Sequence, residues 1–333
     1  MSFNIGDLIP LGGDGTVLGL DGHKYAGVFN PSDSMPLVGA PTPYPGTSVQ
    51  AVVADEGYVY IAGDAISAAA KAVRKHLKSD MTFVAESPDY GGNIRAMTQD
   101  DDYIYAAGVD RKTVCKYRKS DMSLVAESPQ YRSHVYCLVS DEEHVYASGI
   151  TGYVQKCRKA DMSLVAESSS YGNTTHALAV DASYIYAGGE TTNTIRKYQK
   201  SDMAFVAESP TYGGMILAVT SYGSYVYAGG STTQEVRKYS KSSLGLVKQS
   251  DSFGGSIYAL AADGSHIYAG GEASQPVRKY TQSELGIVAS SPVLTGVVYD
   301  IAIDSKCFFA TAGAAISKGH LQGYELVGYG RVD

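Results

Sequence analysis

One short sequence phrase recurs along the chain at an almost constant interval. It reads S-D-M-x-x-V-A-E-S with small variations, and its Met or Leu slot is filled by Met81, Met122, Met162, Met203, Leu244, Leu285 and Leu326. The intervals between these residues are 41, 40, 41, 41, 41 and 41 residues. A period of this length predicts an array of structural repeats, in which each unit buries its apolar face against its neighbours.

The first 48 residues decide how many repeats the array contains. Comparable units begin near Val49, Ile94, Val135, Thr175, Ile216, Ile257 and Val298. Before them, residues 10–16 (P-L-G-G-D-G-T) match residues 259–265 (A-L-A-A-D-G-S). We therefore expect one domain over 1–333, with a degenerate first repeat at 1–48, regular repeats at 49–297 and a C-terminal repeat at 298–333. This makes eight repeats, and seven repeats with an N-terminal arm are the alternative.

A single repeat contains four short segments with the pattern of β-strands. In the unit that begins at Ile257 they are strand A (257–261), strand B (266–269), strand C (277–280) and strand D (287–290). The turn Asp263-Gly264 between strands A and B is a strong hairpin signal, and strand B alternates aromatic with aliphatic residues. Four strands in about 41 residues are typical of a β-propeller blade.

The chain thereby resembles the β-propeller repeat families, especially those with YVTN and quinoprotein-like repeats. The V-R-K-Y-x-K-S-D-M-x-x-V hairpin and the Y-I-Y-A-G-G strand carry this resemblance over essentially the whole chain. It implies an all-β fold, a closed β-propeller of eight four-stranded blades, with seven blades plus an N-terminal arm as the alternative. The chain has no Trp and so lacks the Trp motifs of quinoprotein dehydrogenases and of WD40 repeats. We therefore expect no cofactor, and the resemblance indicates architecture rather than activity.

Charge and composition argue against several partners. The net charge of −7 is unsuited to a nucleic-acid or anionic-membrane surface. No apolar run reaches the roughly 18 residues needed to span a bilayer, so we expect no membrane insertion. The first residues lack the basic and apolar regions of a secretory signal. We expect synthesis in the cytoplasm and, by analogy, incorporation into a virion or another extracellular assembly.

Three positions are nearly constant from repeat to repeat. Strand B carries a pair of aromatic residues on one sheet face, as in Tyr103 and Tyr105, and we expect these to pack between blades rather than to bind a ligand. Strand C carries a lysine and strand D often a glutamate, as in Lys75 and Glu86, and we expect these to pair across the C–D hairpin. The aspartates of the A–B turns, such as Asp55, are expected to be solvated turn residues rather than metal ligands.

The connection between strands B and C varies most between repeats. In an up-and-down blade the B–C and D–A connections lie on one face, and the A–B and C–D turns lie on the other. Loops on a rigid scaffold are frequent binding sites, although exposed loops also vary without function. The candidate ligand-binding residues are Asp110, Arg111, Lys112, Tyr153, Thr192, Asn193, Thr233, Gln234 and Gln275.

Catalytic and metal motifs are not found in the sequence. Cysteines 115, 137, 157 and 307 occupy four different slots of the repeat and form no C-x-x-C, and the histidines show no metal-binding spacing. Only His176, at the start of strand A, resembles a residue of the central channel that could take part in catalysis.

These observations favour a non-catalytic recognition or assembly module that presents variable B–C loops to a protein or glycan partner. The virion and glycan-binding settings are suggested by analogy alone. The alternative function is a propeller lyase or hydrolase with a site in the central channel.

Overall fold

The computed structural model describes residues 9–10, 16–18, 24–32, 34–38, 42–64, 71–320 and 323–331. These residues form 32 strands in eight four-stranded sheets, so the all-β expectation is confirmed. In this part of the chain no helix is long or apolar enough to cross a bilayer.

Seven of the sheets are blades, in which antiparallel strands A to D follow one another outward from the centre. Blade 1 consists of β5 (Ser48–Ala54), β6 (Tyr58–Asp64), β7 (Arg74–Leu77) and β8 (Phe83–Glu86). Blade 2 consists of β9 (Ile94–Gln99), β10 (Tyr103–Gly108), β11 (Cys115–Arg118) and β12 (Leu124–Glu127). Blade 3 consists of β13 (Val135–Ser140), β14 (His144–Gly149), β15 (Gln155–Arg158) and β16 (Leu164–Glu167). Blade 4 consists of β17 (Thr175–Val180), β18 (Tyr184–Gly189), β19 (Ile195–Gln199) and β20 (Phe205–Glu208).

The remaining sheets follow the same order, with two exceptions near the chain ends. Blade 5 consists of β21 (Ile216–Tyr222), β22 (Tyr225–Gly230), β23 (Arg237–Ser240) and β24 (Leu246–Gln249). Blade 6 consists of β25 (Ile257–Ala262), β26 (His266–Gly271), β27 (Arg278–Thr281) and β28 (Ile287–Ser290). Blade 7 combines β29 (Ile301–Ile303), β30 (Cys307–Thr311) and β31 (Ala315–His320) with β4 (Thr42–Pro43). The eighth sheet contains β1 (Ile9–Pro10), β2 (Thr16–Leu18), β3 (Lys24–Ser32) and β32 (Gly323–Arg331).

The ring closes with seven blades. Each strand A lies beside strand A of the next blade, and β29 of blade 7 lies directly beside β5 of blade 1. Across this closure, Lys318 Nζ donates a 2.8 Å hydrogen bond to the carbonyl oxygen of Lys78. Asp300 Oδ2 also accepts the N–H of Val52 at 2.9 Å. The expected eight-blade ring is therefore wrong, and the seven-blade alternative is confirmed.

The chain ends explain this difference. The repeat pattern predicts Leu326 in the C–D turn of the last blade, just before strand D, but Leu326 lies in β32 and pairs with Phe29 of β3. The N-terminal strand β4 takes the vacant outer position in blade 7, where Pro43 pairs with Ala315. Strands from both ends of the chain thus share the last blade, which closes the ring without an eighth one.

The segment before β4 joins blade 6 to blade 7. The N–H of Met35 donates to the carbonyl oxygen of Ser290 in blade 6 at 2.9 Å, and the N–H of Val38 donates to that of Lys318 in blade 7 at 2.8 Å. The Met35 side chain is fully buried in the core between these blades. Residues 34–38, which we expected to belong to a degenerate repeat, therefore connect blade 6 to blade 7.

The core lies between neighbouring blades and is rich in tyrosine. Ile104 and Tyr117 of blade 2, for example, pack with Tyr60 and Val73 of blade 1. Among the described residues, the twelve largest side chains that are fully buried are all tyrosines. Tyrosine therefore supplies the aromatic volume of the core in a chain without Trp.

The recurring Met or Leu ends each C–D turn in an unusual backbone conformation. Met122, for example, has φ 58°, and its N–H donates to the carbonyl oxygen of Arg118 at 2.8 Å. A left-handed conformation costs a non-glycine residue about 1 kcal/mol or more. The Met122 side chain is fully buried, so its packing offsets this cost. This requirement explains why a large apolar residue recurs where glycine would be the easier turn residue.

Candidate functional site

The two faces of the propeller differ in what their side chains contact. We call the face formed by the A–B and C–D turns the latch face, and the face formed by the B–C loops and D–A connections the loop face. The latch face is built from charged and tyrosine side chains that bind the next blade. On the loop face, three of the B–C loops share one backbone conformation but differ in their side chains.

On the latch face, one aspartate organises each A–B turn. In blade 3, Asp141 Oδ1 accepts the N–H groups of Glu143 and His144, and its Oδ2 accepts the Tyr146 hydroxyl at 2.8 Å. Lys200 of blade 4 lies 2.6 Å from the same oxygen. Burial alone would raise the pKa of Asp141, but these four donors together lower it to about 2. The expectation that these aspartates are merely solvated turn residues is therefore wrong.

The same interblade ion pair is found at five of the seven interfaces in the described part of the chain. The pairs are Asp55–Lys119, Asp100–Lys159, Asp141–Lys200, Asp181–Lys241 and Asp304–Lys78, at 2.5 to 3.2 Å. The last pair closes the ring between blades 7 and 1.

The strand C lysines form a second link between blades. Lys75 Nζ lies 3.8 Å from the ring centroid of Tyr58 and donates a 2.8 Å hydrogen bond to the carbonyl oxygen of Lys119 in blade 2. Equivalent bonds join Lys116 to Lys159, Lys156 to Lys200, Lys197 to Lys241, Lys238 to Gln282 and Lys318 to Lys78. The strand C lysines and the paired aromatic residues of strand B therefore take part in the packing between blades, as we expected for the tyrosines.

The expected pairing of lysine with glutamate across the C–D hairpin is wrong. A register shift on strand D places Ala85 opposite Lys75 and Glu86 opposite Arg74. The ion pair is accordingly Arg74–Glu86, at 3.1 Å. A slip of one residue moves a side chain to the other sheet face, which is why the lysine is free to reach the next blade.

On the loop face, the D–A connections hold the B–C loops in place. Tyr171 has a fully buried ring; its N–H donates to the carbonyl oxygen of Gly152 in its own blade, and its hydroxyl donates to that of Thr194 in the next blade at 2.6 Å. Tyr90 and Tyr212 form the same hydroxyl bonds to Thr113 and Glu235. Sequence reasoning missed these tyrosines, although they recur at the repeat spacing.

The predicted ligand-binding residues lie in loops that share one backbone conformation. The second and fourth residues of three loops have positive φ: Asp110 and Lys112, Thr191 and Asn193, and Thr232 and Gln234, with values from 53° to 81°. The fourth residue of each loop accepts the N–H of the aromatic residue in the D–A connection at 2.6 Å. These loops therefore differ in side chains while their backbone stays the same.

The side chains of these predicted residues have different surroundings. Asp110 is exposed, whereas Arg111 is held by a bidentate ion pair to Glu127, with its shorter contact at 2.6 Å. The guanidinium of Arg132 lies 4.4 Å above the ring of Tyr153. Lys112, Thr192, Asn193, Thr233, Gln234 and Gln275 are half-buried. The structure places all nine residues on the loop face but distributes them over five blades.

The inner rim of the loop face is formed by one equivalent residue of each repeat, at or just before the start of strand A. We call this set the channel ring: Gln50, Arg95, Tyr136, His176, Leu217, Tyr258 and Tyr299. In blades 1 to 6 a β-bulge at this residue interrupts the pairing with strand B. Bulges commonly redirect a side chain beside a functional site.

Neighbouring members of the channel ring contact one another. The Tyr136 and His176 rings are nearly parallel with centroids 6.0 Å apart, and those of Tyr258 and Tyr299 are 5.6 Å apart. Arg95 Nη2 lies 3.2 Å from Asp64 Oδ1. The ring thus contains two aromatic pairs and one charge-balanced pair.

His176, the predicted catalytic candidate, belongs to the channel ring. Burial lowers its pKa, the nearby Glu190 carboxylate opposing this effect, and its Nε2 is buried without a hydrogen-bond partner among the described residues. Its closest aromatic neighbour is Tyr136. This arrangement places the imidazole in an aromatic wall, and no acid or base of the described residues is in hydrogen-bond contact with its Nε2.

The structure assigns the cysteines to the blades rather than to a reactive site. All four are buried free thiols, and burial raises the pKa of Cys137 and of Cys157, the latter to about 11. Within the described ranges, no group of three or more His, Cys, Asp or Glu side chains could hold a metal ion.

Comparisons with known proteins identify the fold. The chain matches no protein-family model and no curated protein. It is similar to the WD40 β-propeller domain of Doa1, with a TM-score of 0.75 at 12% identity over 87% of this chain and 97% of that one. It is also similar to the computationally designed Ika8 protein, with a TM-score of 0.66 at 10% identity over 87% of this chain and 100% of that one. The resemblance to β-propeller repeat proteins is thus confirmed at the level of the fold.

Proposed function

We propose that the protein is a recognition module whose loop face binds a protein or a glycan. The observation that carries this proposal is the loop backbone shared by blades 2, 4 and 5, which presents different side chains in each of these blades. Neutral drift in exposed loops would change their conformation as readily as their sequence, whereas a binding surface needs a fixed scaffold with varied chemistry.

The distribution of unlike residues supports the same face. The channel ring has five residue types in seven positions, while the latch face repeats its Asp, Lys and Tyr in most blades. A ligand that contacts several blades at once requires unlike groups at equivalent positions, because the symmetric scaffold offers none by itself. A non-catalytic role as part of an assembly, such as a virion, extends this proposal by analogy only.

A loop-grafted variant tests the proposal. The loop of blade 4 (190–194) is placed at 109–113 and at 231–235, where the backbone has the same conformation. The control carries Glu56→Ala, Asp101→Ala and Glu142→Ala, three exposed substitutions on the latch face. Both variants are assayed beside the wild type against a glycan array and a panel of purified cell-surface proteins.

We expect the wild type and the control to bind the same partner, and the grafted variant to lose at least about tenfold in affinity, or 1.4 kcal/mol. Circular dichroism and the melting temperature verify that both variants fold. Equal affinity of the grafted variant, or loss of binding in the control alone, would overturn the assignment to the loop face.

A further inference from the structure

The channel ring has the chemistry of a site for an uncharged ligand. Arg95 is its only charged side chain, and the Asp64 carboxylate at 3.2 Å balances that charge. On the adjacent loop of blade 2, the charge of Arg111 is balanced by Glu127 in the same way. A strongly charged ligand would have to compete with these pairs, whereas a neutral ligand would leave them intact.

Two aromatic pairs offer apolar surface at the ring. The side chains of Tyr136, His176, Tyr258 and Tyr299 are all half-buried, so part of each remains accessible. The Tyr136 and His176 faces are stacked with centroids 6.0 Å apart, too close for a further ring to insert between them at about 3.5 Å from each. The Tyr258 and Tyr299 rings are 5.6 Å apart and tilted by 55°, so they also leave no parallel slot. A ligand therefore has to lie against these aromatic walls rather than between their members.

Hydroxyl and amide side chains lie on the loops of blades 4 and 5, which follow the ring residues His176 and Leu217. These loops read Glu190-Thr191-Thr192-Asn193-Thr194 and Ser231-Thr232-Thr233-Gln234-Glu235. The Glu235 carboxylate lies 3.1 Å from Arg237, and the Glu190 carboxylate near His176 disfavours an anionic ligand. Each loop begins beside the ring, since the N–H of Glu190 donates to the carbonyl oxygen of Thr174 and the N–H of Ser231 donates to that of Met215. These acceptors are two residues before the ring residues His176 and Leu217.

Some polar atoms of this region are buried and have no hydrogen-bond partner among the residues that the structure describes. Asn193 Oδ1, His176 Nε2 and Thr175 Oγ1 belong to this group. A buried polar atom without a partner costs about 1–3 kcal/mol, so such atoms mark places where a hydroxyl group would be stabilised.

We propose that the channel ring, together with the loops of blades 4 and 5, binds a neutral saccharide. The electron-rich tyrosine faces suit the C–H surface of a sugar ring, and the amide and hydroxyl side chains suit its hydroxyl groups. A saccharide combines both surfaces without a net charge, which a nucleotide, a sulfated glycan or an acidic peptide does not. This inference rests on the proposed recognition function and specifies its ligand class.

The test uses an array of neutral oligosaccharides that also carries sialylated and sulfated ones, followed by calorimetric titration of the best neutral hit. The full chain is compared with Tyr258→Ala, Tyr299→Ala and Tyr299→Phe. Tyr222→Ala is the matched control, because Tyr222 is 39% exposed at an A–B turn of the latch face. We expect about a tenfold loss of affinity for each ring alanine variant and at most about a threefold loss for Tyr299→Phe and Tyr222→Ala.

Binding of sulfated or sialylated glycans in preference to neutral ones would overturn the inference, as would equal affinity of the alanine variants. A cell-surface protein that binds in place of glycans, and is lost in the loop-grafted variant, would overturn the saccharide assignment while the recognition function stands. Failure of every glycan and every protein on the panels to bind would remove both.

Discussion

The latch face and the loop face are built from the same repeat, yet they use it in opposite ways. On the latch face the constant aspartates and lysines join neighbouring blades, as Lys200 of blade 4 does with Asp141 of blade 3 at 2.6 Å. On the loop face the contacts between blades are formed by the D–A tyrosines and the loop backbone, as between Tyr171 and Thr194. The stability of the fold therefore depends on particular side chains on the latch face. On the loop face it depends mainly on the conformation of the loop backbone.

This difference explains why variation collects on one face without loss of the fold. A change of side chain in the loop of blade 4 leaves the carbonyl oxygen of Asn193 available to the N–H of Tyr212. A change at Asp141 removes the acceptor of two backbone N–H groups, of the Tyr146 hydroxyl and of a lysine. Constancy on the latch face is thus a structural requirement, and variety on the loop face is permitted.

Acid should distinguish the two faces most strongly. The pKa is lowered for the latch aspartates Asp55, Asp100, Asp141, Asp181, Asp263 and Asp304, because hydrogen bonds and lysines outweigh the opposing effect of burial. A carboxyl whose pKa is lower in the folded state contributes stability above its unfolded pKa, near 4, and loses it as the pH falls. For Asp141, with a pKa of about 2, this is about 1 kcal/mol after solvent screening is allowed for. Because the pKa of all six carboxyls is lowered, we expect the free energy of unfolding to fall steadily as the pH drops from 4 to 2.

Asp300, next to the channel ring, should act in the opposite direction. Burial raises its pKa to about 6, although the N–H groups of Val52 and Ile301 oppose this effect. Its contribution is complete below pH 4 and is lost as the pH rises through 6. Urea unfolding across pH 2 to 8 should therefore show a flatter acid limb in Asp141→Asn and a flatter limb from pH 4 to 7 in Asp300→Asn. Asp101→Asn is the control. If the free energy of unfolding fell as steeply at low pH in Asp141→Asn as in the wild type, the stabilising role of Asp141 on the latch face would be contradicted.

Removal of one latch lysine should have the next largest effect. Lys200→Met deletes the ammonium group that lies 2.6 Å from Asp141 Oδ2 and 3.1 Å from the carbonyl oxygen of Asp181. Because the Asp141 carboxylate stays buried between blades without its cation, we expect a loss of about 2 kcal/mol in the free energy of unfolding. Chemical unfolding measures this loss.

Lys112→Met on the loop face is the matched control for that substitution. No ion pair of Lys112 is found in the described part of the chain, so its replacement should change stability by less than about 0.5 kcal/mol. Equal effects of the two substitutions would show that the faces do not differ in the way described above.

Local sequence signals predicted the blade but not the ring. The strands and turns follow from patterns within a few residues, such as the alternation in strand B and the S-D-M turn. The number of blades depends on where β4 pairs, and its pairing with β31 joins residues 42–43 to residues 315–316. A contact over so long a separation leaves no periodic trace in the sequence.

The prediction of the lysine partners was wrong because the register of the C–D hairpin cannot be read from the local sequence. The symmetry of Lys75 and Glu86 about the turn suggests a cross-strand pair, but the observed register places Glu86 opposite Arg74, one residue away. The channel ring, by contrast, could have been found. When the seven repeats are aligned, the residues at this position read Q-R-Y-H-L-Y-Y, whereas the positions before and after it are almost all aliphatic or alanine. Of these seven residues, only His176 was predicted to be functional.

The interface between blades 5 and 6 offers the sharpest test, because the latch is naturally incomplete there. Tyr222 stands where the other A–B turns have aspartate, and Gln282 stands where other blades have the lysine of the ion pair. The hydroxyl of Tyr227 is buried and has no hydrogen-bond partner among the described residues. Tyr222→Asp would give that hydroxyl an acceptor, and Gln282→Lys would add the cation. The turn can change accordingly, since Gly223, at φ 53°, adopts either backbone conformation easily.

We expect each single substitution at this interface to be close to neutral and the double variant to be about 1 kcal/mol more stable than the wild type. A double-mutant cycle of urea unfolding measures the coupling between the two residues. The same cycle at Asp141 and Lys200 supplies the natural reference value. A coupling near zero at both interfaces would mean that the ion pairs merely accompany the packing of tyrosines between blades. A coupling at Asp141 and Lys200 alone would mean that the A–B turn of blade 5 does not adopt the conformation of the aspartate turns. The interblade ion pair would then depend on the conformation of the turn as well as on charge.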